Sequence, residues 1–342
     1  MNFSLSRHDL PTADPFGIAR GTTTTAAVVT VEISHEGITG VGGAAPTDYY
    51  GESADSVVAT IERLRPVVEQ WDDPHAGQRA ATILAAEAPD APAARAAVST
   101  ALADLAARTL GVPCYRQWGL DPDAAPRTSF TIGLDDPEQM AKKTERAVAE
   151  GYEILKVKVG TDDDRARVRA VRETAPDATL RVDANCAWSP DEAIEQAHWL
   201  AEQGVEFLEQ PVAADDIEGL RQVHETAPLA ICADESCVTA GDVIDVADAC
   251  GLVTVKLMKC GGVRPAVEQI HAAHAAGLDV MLGCMLESNA SIAPACHLAP
   301  LVEYADLDGA LLLADDVCDG VPLAGGHIDL RSVDSGTGAT PK

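Results

Sequence analysis

The sequence predicts an α/β fold: a parallel barrel of eight strand–helix units, preceded by a smaller region that mixes strands and helices. Two observations carry this. From residue 127 onward, eight short apolar runs recur at intervals of about 25 residues, and a helical pattern follows them. The first hundred or so residues show no such repeat. The runs are 128–132, 154–159, 179–183, 205–209, 229–234, 252–257, 278–283 and a weaker one at 302–306. Their spacing is the length of one strand–loop–helix–loop unit, and eight such units close a barrel. A doubly wound sheet would ordinarily have fewer strands. No glycine-rich phosphate loop follows any run, and Gly261-Gly262 stands alone.

The elements follow in order. Residues 26–34 (AAVVTVEIS) are rich in β-branched side chains and read as a strand. A turn at 35–37 leads into 38–43, giving a hairpin. Residues 53–70 place Val57, Ile61, Leu64 and Val68 on one helical side, with Asp55 and Glu62 on the other. Residues 91–110 form an alanine-rich helix stopped by Gly111. Within the repeat, the helix at 191–203 lines Ala193, Ile194, Ala197 and Leu200 along one side. A chain of 342 residues, 46% apolar, has material for a large core and about two domains. The boundaries fall at 1–110, 111–320 and a C-terminal segment at 321–342, expected to pack back on the first region.

The formal net charge is −29, and only seven residues are lysine. Such a surface excludes nucleic-acid binding and charge-driven attachment to anionic lipid. It suits a halophilic protein, kept soluble where salt screens repulsion. Residues 1–17 have no apolar core like that of a signal peptide, and no run reaches the roughly 18 residues of a membrane span. The nine cysteines include no CxxC pair, and Cys186, Cys232, Cys260 and Cys284 read as buried free thiols. A cytoplasmic protein, forming a homo-oligomer, is expected.

Ionisable residues close five consecutive strands. Lys158, Asp183, Glu209, Asp234 and Lys256 follow one another at intervals of 25, 26, 25 and 22 residues. Chemistry in a parallel barrel sits at these C-terminal strand ends. Three converging carboxylates, Asp183, Glu209 and Asp234, would repel one another unless a cation lay between them. An all-oxygen ligand set selects Mg²⁺ over zinc. The second and sixth strands are opposite in an eight-membered ring, so Lys158 and Lys256 face each other across the mouth. Lys156 shares a strand face with Lys158, and adjacent ammonium groups should depress each other's pKa. Four of the seven lysines thus fall on or beside two strands; the fourth, Lys259, reads as a surface or packing residue.

These motifs, Lys-Val-Lys, Asp-Ala-Asn, Glu-Gln-Pro, Ala-Asp-Glu-Ser and Lys-Leu-Met-Lys-Cys-Gly-Gly in this order, resemble the muconate-lactonizing subgroup of the enolase superfamily. The resemblance covers essentially the whole chain. It implies a modified TIM-type (β/α)7β barrel with an N-terminal α+β capping domain. It implies Asp183, Glu209 and Asp234 as Mg²⁺ ligands and Lys158 and Lys256 as acid/base residues on the two faces of the substrate. Lys156 would contact a substrate carboxylate oxygen, with Asn185 and Glu235 behind the metal ligands. The implied chemistry removes a proton next to a carboxylate and stabilises the resulting enediolate. Among its members, Asp-x-Asp on the last strand marks dipeptide epimerases, where it binds the α-ammonium group; Asp306 and Asp308 match it. A dipeptide epimerase is the reading, L-Ala-D/L-Glu epimerases the nearest kind. Alternatives are a muconate cycloisomerase, an o-succinylbenzoate synthase, an N-acylamino-acid racemase, or a non-catalytic binding protein. The loop 46–52, with Tyr49 at its tip, is the candidate lid, Arg20 a candidate partner for a substrate side chain, and Glu287 a candidate to orient Lys256. No role falls to His297.

Overall fold

A computed structural model describes all 342 residues. Three antiparallel strands, β1 (Asn2–Ile18), β2 (Gly21–His35) and β3 (Ile38–Ala44), form a sheet in that order. The β2–β3 turn is Glu36–Gly37, both residues left-handed (φ 50° and 83°), the conformation that matches the twist of a two-residue hairpin. Strand β1 was not legible in the sequence. Most of its side chains are exposed or half-buried, so it lacks an apolar stripe, and its pairing with β2 shifts register between Pro11 and Phe16.

Three helices complete this domain: α1 (Ala54–Glu69), α2 (Gly77–Glu87) and α3 (Pro92–Thr109). Ser53 starts α1 by exchanging hydrogen bonds with Ser56. Helix α3 is buried on nearly every side, which its alanines permit. It lies so close to β3 that a Cβ on Gly40 or Gly42 would stand 2.3 or 2.2 Å from a carbonyl oxygen of α3.

The second sheet has eight parallel strands: β4 (Phe130–Ile132), β5 (Ile154–Lys158), β6 (Thr179–Asp183), β7 (Val205–Glu209), β8 (Ala230–Ala233), β9 (Leu252–Val255), β10 (Asp279–Gly283) and β11 (Tyr304–Asp306). Neighbours pair in sequence order, and a parallel bridge from Thr128 to Ala305 closes the ring. After the short α4 (Cys114–Gln117), the crossovers are α5 (Pro137–Ala149), α6 (Asp164–Thr174), α7 (Pro190–Glu202), α8 (Ile217–Thr226), α9 (Asp242–Val246), α10 (Leu257–Cys260) with α11 (Val263–Ala275), and α12 (Asn289–Cys296). No helix follows β11 to complete an eighth unit, so the barrel is (β/α)7β. No helix is long and apolar enough to cross a membrane.

The C-terminal segment touches α3. The wholly buried Asp104 carboxylate accepts from the Thr337 amide (2.6 Å), the Val41 amide (2.8 Å) and Arg108 (2.7 Å), tying segment, sheet and helix together. His297 lies nearby, fully buried. Its Nδ1 accepts from the Tyr115 amide (3.1 Å), so Nε2 carries the proton and donates to the Thr337 carbonyl (3.1 Å). Protonating Nδ1 would cost both burial and a hydrogen bond, and burial drops the pKa to about 4 from 6.5. A histidine depressed in this way adds stability that is complete above its unfolded pKa and is lost as pH falls from 6.5 towards 4. The span corresponds to roughly 3 kcal/mol. In urea titrations between pH 7 and 4.5, the wild-type midpoint should therefore fall more steeply than that of His297→Gln. Equal slopes would show that His297 takes up its proton in the fold as readily as in the unfolded chain.

Candidate active site

The strand ends deliver their charged side chains to one place. Asp183 and Glu209 end β6 and β7, and Asp234 follows β8 directly; all three are buried. One oxygen from each lies within 4.8 Å of the other two. The turns behind them hold three non-glycine residues in left-handed backbone: Asn185 (φ 46°), a type that tolerates it, and Cys186 (φ 68°) and Gln210 (φ 34°), which rarely adopt it. Such conformations cost roughly 1–3 kcal/mol each and persist where the surroundings hold them. For Gln210 the holding groups are visible. Its Oε1 accepts from the Asp234 and Ser236 amides, and its Nε2 donates to the Val212 carbonyl and the Ser236 hydroxyl. Gln210 thereby sets the turn that carries Asp234. Its place after Glu209 is the only sign of this in the sequence.

Each acid meets an ammonium group. Lys158 Nζ is 2.6 Å from Asp183, and Lys256 Nζ is 2.8 Å from Asp234. Lys156 lies deeper, 2.6 Å from Glu209, 2.8 Å from Asp306 and 3.2 Å from Asp183. Burial works against ionising Asp183 and Asp234, but Lys158 and Lys156 outweigh it for Asp183, and Lys256 and Lys259 for Asp234. Glu209 goes the other way: burial, then Asp183, raise its pKa. Its Oε2, although beside Lys156, has no hydrogen bond. Three buried carboxylates converging within 4.8 Å fit a hard divalent cation.

Several expectations need correction. Lys156 is not lowered, despite its lysine neighbour. Burial favours neutral Lys156 and Lys256, but Asp306 and Glu209 around the first and Asp234 beside the second raise both. Lys156 is 1% exposed, its ammonium enclosed by the carboxylates of Glu209, Asp306 and Asp183. Lys256 lies one residue beyond β9, at the start of α10. Glu287 makes no hydrogen bond or ion pair to Lys256, although the Lys256 charge acts on it. It accepts from the Met285 amide (2.8 Å) and precedes Ser288, which caps α12. Lys259 is no surface residue: it is 1% exposed. Cys186 and Cys284 are half-buried, whereas Cys232 and Cys260 are buried.

Above these groups is a cavity of about 520 Å³, walled by barrel and capping domain together. Lys158 and Lys256 reach it from opposite strands, and Asp306 and Asp308 from the end of β11 and just beyond it. Asp306 accepts from Ser129 and Lys156, Asp308 from the Thr131 amide (2.5 Å). The capping domain supplies Arg20, from the β1–β2 turn, and residues 46–50. Arg20 donates to the Asn185 carbonyl (2.8 Å), pairs with Glu235 (2.9 Å) and stacks 4.3 Å over the Tyr49 ring. Asn185 in turn reaches Glu235 at 3.4 Å. Glu52, at the end of the candidate lid, is buried and caps α3 through the Ala93 amide.

Comparison with known proteins agrees with this architecture. Residues 4–119 match the mandelate racemase/muconate lactonizing enzyme N-terminal domain, and residues 139–342 match the enolase C-terminal domain-like family. The L-Ala-D/L-Glu epimerase of Bacteroides thetaiotaomicron is 37% identical over 334 residues, spanning 97% of this chain and 86% of that protein. The L-Ala-D/L-Glu epimerase of Escherichia coli is 38% identical over 321 residues, spanning 94% and 97%. A dipeptide epimerase from Enterococcus faecalis, crystallised with Mg and L-Leu-L-Tyr, superposes with a TM-score of 0.93 at 33% identity, covering 99% of this chain and 98% of that one. With both domains matched and the barrel, cap and strand-end carboxylates in place, the chain belongs to the enolase superfamily, in the dipeptide-epimerase-like subgroup of its mandelate racemase/muconate lactonizing enzyme branch.

Proposed function

We propose that this protein is a Mg²⁺-dependent dipeptide epimerase. The observation that carries the reading is the pair Lys158 and Lys256, set on β5 and just after β9, four strands apart on an eight-strand ring and open to one cavity. A group that only binds has no use for two opposed amines; a reaction that inverts a carbon does. Asp183, Glu209 and Asp234 would hold the metal. Bound there, Mg²⁺ supplies positive charge to a substrate carboxylate that gains electron density as its α-proton leaves. One lysine takes that proton, and the other delivers one to the opposite face. The buried ammonium of Lys156 keeps Asp306 and Asp183 charged and in place. The relatives named as dipeptide epimerases support the same substrate class.

Asp306 and Asp308, both on the cavity wall, would receive the α-ammonium of a dipeptide. Nine unpaired cysteines suit a reducing compartment, the cytoplasm, and the charge of −29 suits a salty one. The test is a dipeptide library in D₂O with Mg²⁺, read by mass spectrometry for α-deuterium. Exchange in at least one dipeptide is expected, and none in any would sink the reading. Asp306→Asn should weaken kcat/KM for a good dipeptide about 10- to 100-fold, the range of a lost charge-assisted contact. It should spare the exchange of an N-acetylated analogue. Equal losses for both would remove the ammonium role.

A further inference from the structure

We infer that Lys259 is a positioning residue, which holds Asp234 by its second oxygen and fixes the ends of β8 and β9 at the height the site requires. The inference rests on the metal-site reading above. Lys259 Nζ lies 2.6 Å from Asp234 Oδ1 and donates to three carbonyls: Asp234 (2.6 Å), Thr254 (2.8 Å) and Cys237 (3.0 Å). These acceptors belong to the end of β8, the loop after it, and β9. Its side chain has no exposure and does not reach the cavity wall, so it cannot exchange a proton with substrate.

The geometry couples it to the reactive groups. Lys256 and Lys259 are three apart in the turn that opens α10, and the Lys259 amide donates to the Lys256 carbonyl (3.0 Å). The two ammonium groups therefore take the two oxygens of one carboxylate, Lys256 on Oδ2 at 2.8 Å and Lys259 on Oδ1 at 2.6 Å. Thr254, whose carbonyl Lys259 binds, donates from its hydroxyl to Glu209 at 3.1 Å. One buried cation thus reaches two of the three metal-facing acids. Burying an ammonium group is no efficient way to stabilise a core, since well-packed apolar side chains do as well or better. Four oxygen acceptors around one nitrogen instead specify where backbone and carboxylate sit.

The experiment compares wild type with Lys259→Met in two measurements: calorimetric titration with Mg²⁺ alone, and D₂O exchange of each epimer of the best dipeptide. For the folded variant we expect the Mg²⁺ dissociation constant to rise about 10- to 100-fold, the cost of losing a group that orients a ligand. At saturating Mg²⁺, kcat should fall by one common factor for both epimers, with KM little changed. Unchanged Mg²⁺ affinity and kcat alongside a lower melting temperature would make Lys259 purely structural and overturn the inference. A loss confined to one epimer would overturn it too, by making Lys259 an acid or base. If Lys259→Met does not fold, Lys259→Gln, which keeps two donors, takes its place; failure of both to fold counts against a positioning role. Absence of Mg²⁺ binding and exchange in the wild type would instead overturn the proposed function, and this inference with it.

Discussion

Lys256→Ala and Lys158→Ala should each abolish epimerisation while leaving opposite halves of the proton chemistry intact. Inversion needs one amine on each side of the α-carbon. Removing either blocks the reaction in both directions, because the amine that takes the proton in one direction delivers it in the other. The loss should be at least about 10²–10⁴-fold, the usual contribution of a positioned acid or base. Solvent exchange behaves differently. The remaining lysine still faces one side of the substrate and can remove and return a proton there. Each variant should therefore exchange the α-proton of a single epimer, and the two variants should choose opposite epimers. The fold should tolerate both changes, since each lysine borders the cavity and its carboxylate keeps another partner: Lys156 beside Asp183, Lys259 beside Asp234. A variant that exchanged both epimers at the wild-type rate would rule out the two-base arrangement.

What made those lysines legible is the regularity of the barrel. Parallel strands covered on both faces read as plain apolar runs, and one reactive residue per unit falls at the same relative position. All eight strands therefore lie within the predicted runs, with ends differing by two residues at most. Elements outside that regularity were harder to see. Strand β1 is largely exposed, and α2 buries only Ala80 and Leu84, so neither leaves an apolar period to detect. Gln210 and Lys259 act on backbone carbonyls and amides contributed by other strands, and no spacing in the chain records such contacts. The expectation of a lowered Lys156 failed for a related reason. It weighed the neighbour two residues away and left out carboxylates from four other strand ends, which dominate. Arg20 was identified as a candidate substrate contact without its partner, because Glu235 lies 215 positions further along the chain.

Glu209→Gln should reverse the sign of its effect on stability when Mg²⁺ is added. Without metal, Glu209 is the acid least at ease: it is fully buried and crowded by Asp183, and both raise its pKa. Glutamine has the same shape and no charge, and Lys156 retains Asp306 and Asp183 after the change. The metal-free variant should therefore melt at or above the metal-free wild type, since a buried charge is costly unless well compensated. With Mg²⁺ the order inverts. Wild type gains the free energy of a ligand that binds only the folded state, about 2.7 kcal/mol at a hundred times the dissociation constant. The variant has lost one of three anionic donors. Groups that merely orient a ligand are worth about 10- to 100-fold in affinity, so losing a ligand should cost at least the upper end of that range. Thermal melts of both proteins, with chelator and with millimolar Mg²⁺, check this directly. A variant destabilised equally in both conditions would mean that Glu209 holds the barrel together through Lys156 and contributes nothing to a cation site.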